Sequence, residues 1–295
     1  MEQISLDALN AADRKTFTTA IGEVMELASW VAEETFAKRP FASIASLYQA
    51  MTDAVRHASA ERRHALINGH PDLAGKAARE GNLTADSTAE QAAAGLDELS
   101  DQEFADFHRL NDAYREKFAM PFIVCVRRHG KQSILREFGR RLNNDAAAEQ
   151  KTALEEIFRI AALRLDQRVT AADRLKVHGH LSTHVLDAHA GHPAQGVGIE
   201  LCEITGAGIA RVIKRVETNA DGRTDAPLFT GMPVPIATYE LRFAVAGYFA
   251  KARAPMADPP FLDVVPVRFA VAEPEGRYHV PLLVTPWSYS TYRGS

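Results

Sequence analysis

Two cysteines in 295 residues, Cys125 and Cys202, cannot staple a fold of this size with a disulfide framework. Both lie in apolar runs, FIVCV and IELCEI, and read as buried thiols in a reducing, cytoplasmic setting. Long hydrophobic runs are missing too. None approaches the roughly 18–20 residues that cross a bilayer. The opening MEQISLDALN has neither the basic nor the apolar region of a secretion signal, so no membrane partner is expected. Positive charge is not in excess: 34 Lys and Arg stand against 38 Asp and Glu, for a net charge of −4. That leaves no broad basic surface for nucleic acid. Repeats and low-complexity blocks are also absent. What is present is an ordinary globular composition, 46% hydrophobic and 24% charged, at a length suited to two domains.

The hydrophobic period changes across Asp166–Thr183, DQRVTAADRLKVHGHLST. Helical spacing precedes this polar stretch and short strands with tight turns follow it, which is the mark of a joint between two separately cored units. The expected organisation is an all-α helical bundle over 1–168, a linker over 169–180, and an all-β antiparallel sandwich with one short helix over 181–295.

In the first half, Asp13–Phe36 carries Phe17, Ile21, Val24, Met25, Leu27, Ala28 and Val31 at helical spacing and reads as one helix. Proline disfavours helix in the residue before it, so Arg39-Pro40 interrupts. Further helices are expected over Ser43–Asn68, Asp101–Phe118, Lys131–Arg141 and Ala146–Arg168. Pro121–Val126 is a short apolar run of either type.

Four polar residues stand out against this background. His70, in Asn68-Gly-His-Pro-Asp, sits between a flexible Gly69 and a Pro71 suited to the first turn of a helix. It is either a turn-capping histidine or an acid–base group mounted at a helix entrance. Ser87-Thr-Ala-Glu90 has the form of a capping box, with Ser87 capping and Glu90 reaching back; alternatively Glu90 orients His70. Arg164 projects at the rim of the apolar stripe Leu154, Ile157, Phe158, Ala161 and Leu165. Such a guanidinium either snorkels to water or meets an anion.

Taken together, GHPDLAGKAA, LTADSTAEQAAAGL and LNDAYREKF followed by PFIVCV resemble the family of 2-oxo-4-hydroxy-4-carboxy-5-ureidoimidazoline (OHCU) decarboxylases, and GEVMELASWVAEETFAKRPF resembles that family's opening. The resemblance covers roughly Leu6–Gln167. It implies an all-α, cofactor-free enzyme that makes (S)-allantoin and carbon dioxide. It places the catalytic histidine at His70 and its acidic partner at Glu90. Ser87, Pro71 and Ile123 become substrate contacts, and Arg164 the anion-binding arginine. The chain departs from the family at Ala119-Met120-Pro121, where Gly-Phe-Pro is common, and at Ala28-Ser29-Trp30-Val31, where Ser-Pro-Trp-Val is common.

The second half reads as strands over Leu181–Asp187, Val197–Ile204, Ile209–Thr218, Thr238–Phe243, Phe261–Val271 and Tyr278–Thr285. A short helix fits Ala244–Arg253, and Asp221-Gly222 is a strong turn signal. Strand alternation puts Tyr278, Val280 and Leu282 on one face and His279 on the other. His279, His184 and Arg223 each have a plain reading as solvated or locally satisfied residues.

LSTHVLDAHAGHPAQGV, the NADGR turn, TYELRF, RYHVPLLVTP and Tyr292-Arg-Gly-Ser295 together resemble the transthyretin-like 5-hydroxyisourate hydrolases, from about Leu181 to Ser295. That resemblance implies a β-sandwich tetramer with sites at subunit interfaces and no cofactor. It places catalytic roles on His184, Arg223 and His279, with Tyr292 and Ser295 lining the site. The hydrolase product is the decarboxylase substrate, so the two resemblances imply consecutive steps of urate breakdown on one chain. The implied partners are the two small-molecule substrates and further copies of the chain in a homotetramer through the C-terminal domain. Two alternatives stay open. The crowding of His178, His180, His184, His189 and His192 suits a metal-dependent cyclic amide hydrolase. A transthyretin-like, non-catalytic binding protein is the other.

Overall fold

The computed structural model describes residues 3–74, 83–97 and 99–294. Ser295 lies outside them. The chain forms two compact units, one of residues 1–127 and 133–177, the other of 128–132 and 178–295.

The first unit is helical. Among the described residues its helices are α1 (Leu6–Ala11), α2 (Arg14–Ile21), α3 (Ser29–Phe36), α4 (Ile44–Arg56), α5 (Ala60–Asn68), α6 (Ala85–Ala93), α7 (Asp101–Phe118), α8 (Lys131–Arg141, whose first residues fall in the other unit) and α9 (Ala146–Arg168). Strand β1 (Ile4–Ser5) pairs in parallel with β2 (Val169–Thr170), so the first residues of the expected linker are hydrogen-bonded to the start of the chain.

Side-chain caps set many of the helix starts. Ser5, Asp13, Ser43, Ser59, Thr84, Ser100 and Asp145 each accept a backbone N–H in the first turn. The helices differ from expectation in two places. Asp13–Phe36 is two helices, broken over residues 22–28, where Leu27 takes φ 49° and stands 79% exposed. Ser43–Asn68 is likewise two, because Ser59 caps a fresh start at Ala60. The expected helices over Asp101–Phe118, Lys131–Arg141 and Ala146–Arg168 form with those bounds.

The family departures have local consequences. Ala119 ends α7 in the left-handed conformation, φ 53°, where a glycine would carry no steric cost. Ala28 occupies the N-cap of α3 and offers no side-chain acceptor there.

Beneath the next segment, 121–126, lies a buried ion network. Arg141 pairs with Glu149, which also accepts from the Tyr114 hydroxyl and from Asn144 Nδ2 at 2.7 Å. Arg141 Nη1 donates to the Ile123 carbonyl at 2.6 Å, and its guanidinium lies over the Phe122 ring, 4.5 Å from the centroid. A charge this deep is tolerated only when its donors are satisfied. Here its satisfaction fixes the backbone of Ile123.

The second unit holds two four-stranded sheets. One runs β10 (Tyr289–Thr291), β9 (Arg277–Val284), β3 (His180–Asp187), β4 (His192–Pro193); the other β6 (Ala210–Glu217), β5 (Gly198–Ile204), β7 (Ala237–Ala244), β8 (Val264–Val271). A short helix, α10 (Val245–Lys251), follows β7. The pairs are antiparallel except β3 with β9, which run parallel. The core between the sheets includes Leu181, Val185, Leu201, Leu241, Phe243 and Leu282, all fully buried. Cys125 and Cys202 are both buried. Among the described residues no helix is long and apolar enough to cross a membrane.

Candidate functional sites, one in each unit

In the helical unit His70, Pro71, Ser87, Glu90, Ile123 and Arg164 all line one small cavity, with apolar walls that include Phe122, Val124 and Ile160. A few convergent polar groups in a mostly apolar hollow is the usual make-up of a small-molecule site.

His70 follows the C-terminal end of α5 and is buried. It does not open a helix at Pro71 as expected, since 71–74 are not helical. Its Nδ1 lies 2.9 Å from the Leu66 carbonyl. A carbonyl only accepts, so Nδ1 carries the proton and Nε2 is left as the basic nitrogen of the neutral ring. Burial pushes the His70 pKa below its ordinary value, against the opposing pull of the Leu66 carbonyl and the Glu26 carboxylate. The ring is therefore neutral near pH 7. Two side-chain amides hold the segment after it: Gln91 accepts from Ala74 N–H at 3.0 Å, and Asn111 donates to the Leu73 carbonyl at 2.9 Å.

The capping expectation for Ser87 is overturned. Thr84 caps α6, and Ser87 stands one turn in, its N–H donating to Thr84 Oγ1. The freed Ser87 hydroxyl donates to Glu26 Oε1 at 3.1 Å and accepts from Arg164 Nη2 at 3.3 Å. Glu90 does not reach back to the cap either. Both its oxygens take donors from Arg164, at 2.9 Å from Nε and 2.9 Å from Nη2.

Arg164 neither snorkels nor waits open for an anion. It is 3% exposed and already holds two carboxylates, Glu90 on one edge and Glu26 at 2.6 Å from Nη1. Burial alone would lower its pKa; hydrogen bonds and charge from Glu90 and Glu26 outweigh that and raise it. Glu26 is the residue that sequence reasoning missed. The break after α2 turns its side chain inward and Leu27 outward, the reverse of one continuous helix.

In the second unit, β3 and β9 run side by side in a register that pairs Ser182 with His279 and His184 with Pro281. His184 and His279 are half-buried, while Leu181, Val185, Tyr278 and Val280 point into the core. Ser182 Oγ lies 3.0 Å from His279 Nδ1. Arg223 is brought beside His184 by a backbone bridge, in which Val185 N–H donates to the Gly222 carbonyl at 2.8 Å. Gly222 is required there: its φ is +69°, and a Cβ would sit 2.3 Å from the Val185 carbonyl oxygen.

Burial and the Arg223 charge push both His184 and His279 below their ordinary pKa. The His184 Nε2 atom is buried with no hydrogen-bond partner among the described residues. The segment after β10 returns along β9, where Gly294 N–H donates to the His279 carbonyl at 2.9 Å. Tyr292, expected to line the site, is 59% exposed. Among the described residues no three His, Cys, Asp or Glu side chains come together as a metal site, so the histidines near the joint do not form the ligand cluster that their spacing suggested.

Sequence profiles match in two places: the OHCU decarboxylase family over residues 10–166 and the HIUase/transthyretin family over 181–294. The chain belongs to both families. It is a fusion of a decarboxylase with a transthyretin-like hydrolase. The 5-hydroxyisourate hydrolase of Deinococcus radiodurans is 57% identical over 118 residues, 40% of this chain and 98% of that protein. The OHCU decarboxylase of Halalkalicoccus jeotgali is 38% identical over 173 residues, 59% of this chain and 96% of that protein. A crystal structure of an (S)-allantoin synthase aligns over 99% of this chain and 100% of its own, at 32% identity and a TM-score of 0.49.

Proposed function

We propose that the two sites just described carry two consecutive steps of urate degradation. The transthyretin-like unit hydrolyses 5-hydroxyisourate to OHCU, and the helical unit decarboxylates OHCU to (S)-allantoin. The observation that supports the decarboxylase assignment is the single cavity lined by His70, Ser87, Glu90, Ile123 and Arg164.

Loss of carbon dioxide breaks a carbon–carbon bond and leaves its electron pair on the ring carbon. That carbon must then take a proton on one face. His70 is the proton carrier. Its Nδ1–H is tied to Leu66, so Nε2 receives and delivers the proton. Glu90 is its acidic partner in the cavity, Arg164 binds the substrate's carboxylate, and Ser87, Pro71 and Ile123 shape the contact surface.

In the hydrolase site water adds to a ring carbonyl. The neutral His184/His279 pair activates the water, and Arg223 holds the developing oxyanion. Tyr292 and Ser295 line the site from the C-terminal segment. Half-exposed histidines exclude bulk water only when another subunit covers their face, so this unit works as part of a homotetramer. Neither step as assigned calls for a metal or an organic cofactor, and a reducing cytoplasm suits the two buried thiols.

The test is His70→Asn in the full chain. It should fold, hydrolyse 5-hydroxyisourate at the unchanged rate, and form no (S)-allantoin enzymatically. Near wild-type (S)-allantoin formation by that variant would remove His70 from the mechanism.

A further inference from the structure

Arg164 hydrogen-bonds to two carboxylates, with Asp86 at a longer 3.9 Å from Nε, and the two are held differently. Glu26, in the turn between α2 and α3, is 4% exposed and accepts from three side chains: Thr84 Oγ1 at 2.5 Å, Ser87 Oγ at 3.1 Å and Arg164 Nη1 at 2.6 Å. Burial would push its pKa up, but the Arg164 charge and these hydrogen bonds hold it down, so it stays ionised. Glu90 lines the His70 cavity, and its side chain is 12% exposed. Its only described side-chain donors belong to Arg164.

The substrate brings a carboxylate of its own. An incoming carboxylate cannot hydrogen-bond to this buried guanidinium while Glu90 holds Nε and Nη2 and Glu26 holds Nη1. One of the two glutamates must yield its place. Removing Glu26 would also strand the Thr84 and Ser87 hydroxyls, whereas Glu90 need only turn within the cavity it lines.

We propose that Glu26 is the permanent counter-ion and positioning residue of Arg164, and that Glu90 is the exchangeable one, displaced from the Nε/Nη2 edge by the carboxylate of the incoming substrate. This rests on the assignment of the decarboxylase site given above. Once released, Glu90 is free to turn toward His70 on the same cavity wall, so the acid partner engages the proton carrier only when substrate is bound. The charged groups around His70 are Glu26 from the α2–α3 turn, Glu90 from α6 and Arg164 from α9. Asp86 pairs with Arg168 and also stands 3.9 Å from Arg164 Nε, and segment 122–126 brings only apolar side chains to the cavity.

The experiment is steady-state decarboxylation by the full chain across pH, for wild type, Glu90→Gln and Glu26→Gln, with folding checked by circular dichroism. Glu90→Gln loosens the edge that substrate must take, so KM should fall about fivefold while kcat drops. Glu26→Gln leaves Glu90 as the one carboxylate hydrogen-bonded to Arg164, with Asp86 at 3.9 Å from Nε, so Glu90 is harder to displace and KM should rise about fivefold. Losing a nearby negative charge should also move the kinetic limb set by His70 to lower pH, by about half a unit. A merely structural Glu26 would lower stability and leave that limb in place. KM shifts in the same direction for both variants, or an unmoved limb in folded Glu26→Gln, would overturn the proposal. Should Glu26→Gln fail to fold, an unchanged or raised KM in Glu90→Gln overturns it alone. Failure of the underlying site assignment appears separately, as wild-type turnover by His70→Asn.

Discussion

Gly294 lies so close to His279 that a Cβ built on it would stand 2.6 Å from the imidazole Cδ2 and 3.1 Å from the His279 Cβ. The ring is held between this glycine and Ser182. Gly294→Ala must displace the ring, so hydrolysis of 5-hydroxyisourate should fall about tenfold or more. Decarboxylation of independently supplied OHCU should not change. Equal loss of both activities would show that the substitution disturbs the whole chain instead.

The pH dependence of the hydrolase follows from the same site. His184 and His279 have pKa values lowered by burial and by Arg223, so both stay neutral below the ordinary value of about 6.5. A base that must be neutral loses function only as pH falls through its folded pKa. Hydrolysis should therefore hold its rate at pH 6.5 and fall at lower pH. Arg223→Gln removes one cause of the lowering, so besides slowing the reaction it should move that acid limb to higher pH. A limb that stays in place would separate Arg223 from the electrostatics of the pair.

Ala119 carries a conformational cost that glycine would not. At φ 53° a Cβ is disfavoured by roughly 1 kcal/mol. Ala119→Gly should raise the unfolding midpoint of the helical unit by a few degrees, about 2–4 °C, with activity unchanged. A lowered midpoint would contradict the strain argument.

Glu149→Gln leaves Arg141 charged and buried without its anion. The expected cost is about 3–5 kcal/mol in chemical denaturation. Arg141 fixes the Ile123 carbonyl, so the variant's KM for OHCU should rise as well. A loss under about 1 kcal/mol would mean that water reaches Arg141 and replaces the lost partner.

The sequence carried much of this architecture, because strong local signals drive it. The Asp221-Gly222 turn and the strand alternation around His279 are local, and the structure follows them. The helix over Asp101–Phe118 was similarly plain from its apolar spacing, and it forms with those bounds. Glu26 was not legible. Its burial depends on a helix break at 22–28 that the apolar spacing conceals, and on an arginine 138 positions away. Ser87 and Glu90 misled as a capping box because Thr84, three residues earlier, takes that role. The parallel pairing of β3 with β9 could not be read either, since nothing local sets which of two distant strands lie side by side.

The central claim is that each reaction belongs to its own residue set on its own unit. Circular dichroism of (S)-allantoin formed from freshly generated 5-hydroxyisourate tests it most directly, using His70→Asn, His279→Asn and an equimolar mixture of the two. Each variant alone should fail to give the rapid wild-type signal, and the mixture should restore it, since each supplies the site that the other lacks. Rapid (S)-allantoin formation by His70→Asn alone, or a mixture no faster than its parts, would contradict the account.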